Sequence, residues 1–255
     1  MDRLSLTAAS GMQEFNLPRF QLNNEIANIS TPGFKRSFSN ISQTLKVSGP
    51  GFDSRFAPTN VYKDQVSLAP GAVIYTGNST DVALNDSTVL GVSASDGSLA
   101  FTRRGDLRIN AAGLLETAAG QAVRGQNGPI SIPAGYRIEI SPDGSFFASN
   151  ASAGGAVAPV LVGRMLLRDA SQTALMRRPD GLFTPATAVP GEVNDIKDGR
   201  IAPSLKPQSL ENSNVSAYEA LVKLMEMNRT YEMNTKSIKE ARSIDESGSS
   251  MLKVT

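Results

Sequence analysis

Residues 23–36 read NNEIANISTPGFKR. The first half suits a helix, and Thr31-Pro32-Gly33 stops one. Pro32 holds Thr31 in extended geometry, and Gly33 is free to take positive φ and reverse the chain. Past the turn, Phe34 is expected to fold back near the helix end and Lys35 to lie beside its negative dipole. Upstream, Ala8, Met12, Phe15, Leu22, Ile26 and Ile29 fall at alternating three- and four-residue spacing, with Arg19 in the missing slot. That is a heptad seam. Pro18 interrupts it, so two helical segments or one bent helix are expected over residues 3–29.

The far end of the chain has the same character. Residues 215–246 contain no Gly and no Pro. Ala217, Ala220, Leu224, Met227, Tyr231, Asn234, Ile238 and Ala241 keep the seam spacing, and Leu221, Val222 and Met225 widen the apolar stripe. Ser216 and Glu219 have capping-box spacing, and Asn214 is a competing N-cap. Glu232 and Lys236 form a favourable i, i+4 pair, and Ser247-Gly248-Ser249 is the expected stop.

Between the ends the pattern changes. Residues 36–69 are rich in Ser, Gly and Pro and read as an extended connector. Over residues 70–205, short strand-like runs flank four turn signals: Asp96-Gly97, Ala111-Ala112-Gly113, Pro142-Asp143-Gly144 and Pro179-Asp180-Gly181. Hairpins at such close spacing imply an antiparallel β domain rather than βαβ units. The expected class is α+β: long N- and C-terminal helices pairing as an α-helical coiled-coil domain, with a central antiparallel β domain. The boundaries are 1–35 helical, 36–69 connector, 70–207 β and 208–255 helical. Burial of six apolar side chains does not offset the ordering entropy of the first helix. The terminal helices therefore pack on each other, on neighbouring copies, or on the core of their own domain.

Composition removes most chemistry. The 255 residues include no Cys, His or Trp, and the formal charge is +1. A disulfide framework, a zinc–thiolate site and Ser-His-Asp or Cys-His catalysis are impossible. Near-neutral charge gives no general attraction to nucleic acid or anionic lipid. No run of 18 apolar residues suggests a membrane span, and the residues after Met1-Asp2-Arg3 lack the apolar run of a cleaved signal. Asp96, Asp143, Asp180 and Asp198 could be glycosidase acids, but each precedes a Gly and turn chemistry accounts for it. Arg104-Gly105-Asp106 spells an integrin tripeptide, at a length where chance matches are common. Met225, Met227 and Met233 read as packing residues rather than a ligand pocket. No catalytic residue, metal site or cofactor is expected. The residues by themselves point to a non-catalytic, self-associating protein, with an exported β-rich binding module or adhesin as the rival.

The opening stretch also closely resembles the signature ending the N-terminal helix of flagellar basal-body rod and hook proteins, Asn-Asn-Leu-Ala-Asn-x-x-Thr-x-Gly-Phe-Lys. Ala27, Asn28, Thr31, Gly33, Phe34 and Lys35 match it, with Pro32 inside the motif. Glu25 departs from it, and Pro18 is unusual in the helix before it. Thr76-Gly77 through Asp81-Val82-Ala83 resembles the family's Thr-Gly-x-x-x-Asp-x-Ala segment. FTRRGDLRINAAGLLETAAGQAVRG, residues 101–125, resembles its Tyr-Thr-Arg-x-Gly-x-Phe block. Leu210-Glu211-Asn212-Ser213-Asn214-Val215 matches Leu-Glu-x-Ser-Asn-Val, and Arg229-x-Tyr231-Glu232 follows. Length and domain content look most like the proximal rod members, with the distal rod next. The resemblance implies a structural subunit of a hollow helical drive shaft that spans the periplasm and carries torque from motor to hook. It implies export without a cleaved signal, with the flagellar export apparatus, further copies and other rod proteins as partners. The implied assembly interface is Ala8, Met12, Phe15, Leu22, Ile26 and Ile29 at the N-terminus. At the C-terminus it is Leu210, Asn214, Val215, Leu221, Leu224, Met227, Tyr231 and Ile238.

Overall fold

A computed structural model of the chain describes residue 12 and residues 16–38, 41–46, 56–61, 65–132, 135–150, 159–189, 192–196 and 199–252. The chain divides into two compact units. One comprises residues 1–27, 39–63 and 216–255, and the other residues 28–38 and 64–215.

The second unit is the β domain. Its largest sheet has seven strands in the order Ser37–Phe38, Gln65–Val66, Leu175–Arg177, Phe183–Pro185, Leu99–Thr102, Thr88–Ser93, Leu167–Asp169. Neighbours pair antiparallel. Each of the four turn signals joins an antiparallel pair. Gly97, Gly113, Gly144 and Gly181 all have φ near +80° at these turns. The acids do the work of turns: the amides of Ser98, Ser145 and Leu182 donate to the side chains of Asp96, Asp143 and Asp180, two residues back. The Ser98 hydroxyl holds the exposed Asp96 carboxyl well below the usual carboxylate range. Asp198 lies outside the described residues.

Alternation along the central strands explains the packing. Leu90, Val92 and Ala100 enter one core cluster, and Val89, Leu99 and Phe101 enter another on the opposite face. The Thr88–Ser93 and Leu99–Thr102 pair is therefore covered on both sides, which is why it reads as a nearly continuous apolar run. In the RGD tripeptide, Gly105 is buried and Arg104 and Asp106 are half-buried. Arg104 pairs bidentately with Asp106 at 2.7 and 2.8 Å.

In the first unit, an N-terminal helix, Asn16–Ala27, lies against a C-terminal helix, Ala217–Leu252. Several expectations change here. The described N-terminal helix has 12 residues. Pro18 is the third of these residues. The helix ends at Ala27, ahead of the expected Ile29. Asn28 to Ser30 form a turn, with the Thr31 hydroxyl on the Asn28 side chain at 3.1 Å. At the C-terminus the Glu219 amide donates to Ser216 Oγ, as the capping box requires. Lys236 pairs with Glu240 instead of Glu232, at 3.9 Å. The helix runs through Ser247-Gly248-Ser249 to Leu252. Its serines return their hydroxyls to helix carbonyls, Ser247 to Ser243 and Ser250 to Ser247. A lone helical glycine costs only ~1 kcal/mol, too little to end a helix. Inside the expected connector, Ile41–Lys46 pairs antiparallel with Phe56–Val61. Pro58 stands opposite Thr44 in a ladder that has two strands among the described residues, and proline is tolerated in such edge strands.

Candidate functional site

Three of the stretches that carry the resemblance meet inside the β unit. Gly33, at φ +69°, brings its amide to the Glu211 carbonyl at 2.7 Å. Phe34 closes the turn through its amide on the Thr31 carbonyl. The chain then turns Lys35 inward. Its ammonium lies 2.6 Å from Glu211 Oε1 and donates to the Ala69 carbonyl at 2.8 Å. Arg103, from the middle block, holds the other carboxylate oxygen: Nε at 3.0 Å and Nη2 at 2.6 Å from Oε2. The rest of its guanidinium binds the carbonyls of Leu84 at 2.8 Å, Thr88 at 3.0 Å and Asp86. Gly71 adds a backbone amide to Glu211 Oε1 at 2.8 Å. Lys35, Arg103 and Glu211 are 0, 1 and 2% exposed.

Lys35 stands eight residues past the last helical residue, and the partners of its ammonium are Glu211 and Ala69. Phe34 lies beneath Arg177, whose guanidinium carbon is 4.4 Å from the ring centroid and which also donates to the Lys35 carbonyl. That is cation–π geometry. Asn214 is no helix cap. Its side-chain carbonyl accepts the Arg36 amide at 2.7 Å, and its NH2 reaches the carbonyls of Ser67 and Ala69. Leu210 pairs with Ile74 in a β-ladder and Val215 is buried, so these three residues lie ahead of the helix rather than on it.

Arg103 and Glu211 stand in the quoted motifs, but no periodicity or spacing marks them as a pair. The usable signal was charge: Lys35, Arg103 and Glu211 each belong to a motif, and their signs complement one another.

The cluster holds two cations and one anion. Burial, with the Arg103 guanidinium next in weight, pushes the Lys35 ammonium down to about 8 against the pull of Glu211. The unfolded chain, at 10.5, therefore binds more protons than the folded one between these values. Stability from this group rises with pH through that window and is flat below it. In urea titrations from pH 7 to 10, the stability of the natural chain relative to Lys35→Met is expected to increase above pH 8. A constant difference would refute the burial of a charged Lys35.

The helical unit presents a different surface. On the C-terminal helix, Ala220 and Ala241 are buried and Leu224, Met227 and Ile238 half-buried, so the expected seam is the less exposed side, with Tyr231 the exception. Tyr218, Leu221, Val222, Met225, Met233 and Ile244 are exposed, Tyr218 at 84% and Met225 at 70%. On the N-terminal helix Leu22 is buried and Ile26 half-buried. Met12 and Ile29 are half-buried, and Ala8 and Phe15 lie outside the described residues. Among the described residues, no helix is long and apolar enough to cross a membrane.

Comparison with known proteins gives the family. Residues 206–251 match the C-terminal family of the flagellar basal body rod FlgEFG proteins. Residues 83–148 match the D1 domain of the flagellar hook proteins FlgE/F/G. The chain is 34% identical over 224 residues to the flagellar basal-body rod protein FlgF of Salmonella typhimurium, covering 87% of this chain and 85% of that one. It is 35% identical over 221 residues to FlgF of Escherichia coli, covering 84 and 83%. It is 32% identical over 254 residues to FlgG of Agrobacterium fabrum, covering 92 and 93%. Motifs at both ends, a β domain closed by those motifs, and likeness over most of the length converge: the chain belongs to the FlgE/F/G family of flagellar basal-body rod and hook proteins.

Proposed function

We propose that the chain is a structural subunit of the proximal part of the flagellar rod, polymerising through its terminal helices into a hollow helical shaft that transmits torque. The observation that carries this reading is the C-terminal helix. It is 36 residues long and leaves Tyr218, Leu221, Val222 and Met225 bare along its first turns. A contiguous apolar stripe of that kind marks a partner surface. A heterologous interface that does not close is the geometry that builds a helical filament. In this reading the terminal helices, Asn16–Ala27 and Ala217–Leu252, supply the inner layer as a coiled-coil pair, and the β unit supplies the outer one. The partners are further copies and other rod proteins, and the rod spans the periplasm after export without a cleaved signal. The distal rod is the nearest alternative position, since FlgG relatives are also similar. The role is structural, and no reaction is assigned.

The test separates folding from assembly. Met225→Asp changes an exposed side chain, so thermal unfolding of the β unit is expected to stay within about 0.5 kcal/mol of the natural chain. Incorporation into basal bodies and swimming, in a strain lacking the natural subunit, are expected to be lost. Leu224→Asp and Ile26→Asp, on the seams, are expected to behave alike in assembly. Normal motility and normal recovery of the rod with all three would refute the interface.

A further inference from the structure

The β unit is completed by its last residues. Leu205–Pro207 pairs with Val82–Leu84, and Ser209–Glu211 pairs with Val73–Tyr75. Leu205 is part of the main core cluster, and the Ser204 amide reaches Thr88 Oγ1 at 3.2 Å. Among the described residues, Glu211 is the one carboxylate within ion-pair distance of either Lys35 or Arg103. Remove this segment and the two cations keep backbone carbonyls but have no anion. Two strands lose their partners, and the amides of Gly33 and Gly71 lose their acceptors. A buried charge stripped of its partner is among the most destabilising defects a fold can carry.

We propose that residues 205–215 are a closing strap: the rest of the β unit does not fold until this segment docks and Glu211 neutralises the buried Lys35 and Arg103. The strap comes from the end of the unit's sequence, so closure waits for nearly the whole chain. The pairings it makes span more than 100 residues, which favours late formation. Its benefit for a rod subunit rests on the function proposed above: a chain that travels before it assembles stays open until its C-terminal segment arrives. The strap itself is tested without any assembly readout, so its failure and that of the rod reading are separable.

The experiment starts from the full chain carrying a protease site at the exposed Arg200–Ile201 bond. The folded protein is nicked, the pieces are separated in urea, and residues 1–200 are refolded alone or with a synthetic peptide of residues 201–216. Alone, the long fragment is expected to show no hydrogen-exchange protection at Leu90, Phe101 or Leu167. The natural peptide is expected to restore it. A Glu211→Gln peptide, which keeps the shape and both ladders, is expected to need about 100-fold more peptide or worse. Cooperative folding of the fragment alone, failure of the natural peptide to restore protection, or equal rescue by both peptides would each overturn the proposal.

Discussion

Glu211→Gln in the full chain is expected to lower the stability of the β unit by about 3–5 kcal/mol at pH 7, measured by urea unfolding. The reason is charge balance rather than lost contact. The amide is isosteric and can still accept from Gly71 or Arg103, yet two cations stay within the pocket that one carboxylate neutralised. Lys35 has the easier escape, since its proton is already held weakly. In the variant it is expected to titrate lower still, so part of the loss should be recovered by pH 10. Lys35→Met is the counter-test. It removes the surplus cation and leaves Arg103 paired with Glu211, and its long apolar chain fills the same space. Its cost should be about 1–2 kcal/mol, mostly the lost bonds to Ala69 and Glu211. Arg103→Met should resemble the Gln variant instead, because it strands the carbonyls of Leu84, Asp86 and Thr88. Equal losses for Lys35→Met and Glu211→Gln would show that packing, not charge, governs the cluster.

How legible this was in the sequence depended on the range of the interaction. The hairpins at Asp96-Gly97 and Asp143-Gly144 are local: an Asx side chain bonds two residues on, and a glycine takes the left-handed φ. Ser216 and Glu219 fixed a helix start three residues apart for the same reason. The helix stop at Gly248 failed because one glycine is a small penalty in a chain of serines able to bond back onto the helix. The charge clasp failed because its members are 68, 108 and 176 residues apart. Periodicity has no reach over such distances, and in the sequence the nearest feature to Lys35 is a helix end. The paired strands at 41–46 and 56–61 were hidden by a composition rich in Ser, Gly and Pro, which reads as linker whether or not its backbone finds a partner.

Gly33→Ala is expected to rank beside Glu211→Gln, and a second glycine calibrates it. Gly97 and Gly33 have similar angles, φ +78° and +69°. At Gly97 an added Cβ meets nothing within 4 Å, so Gly97→Ala measures the left-handed strain alone, about 1 kcal/mol. At Gly33 the same atom would stand 2.2 Å from the Arg103 carbonyl oxygen and 2.7 Å from the Arg104 Cα. Both are backbone atoms, and neither can rotate away. Relief requires the turn or the Arg103 strand end to move, yet Gly33 also donates to Glu211 and Arg103 grips the same carboxylate. Any shift therefore loosens the strap. Overpacking of this kind adds about 2–3 kcal/mol to the strain. The loss in Gly33→Ala should thus exceed that in Gly97→Ala by at least about 2 kcal/mol in urea unfolding. It should also be non-additive with Glu211→Gln, since the second defect falls on a contact the first has opened. Equal losses at the two glycines would mean that the family's Thr-x-Gly-Phe-Lys signature needs a flexible backbone only. A larger loss at Gly33 would mean that the glycine is required because another strand occupies the space beside it.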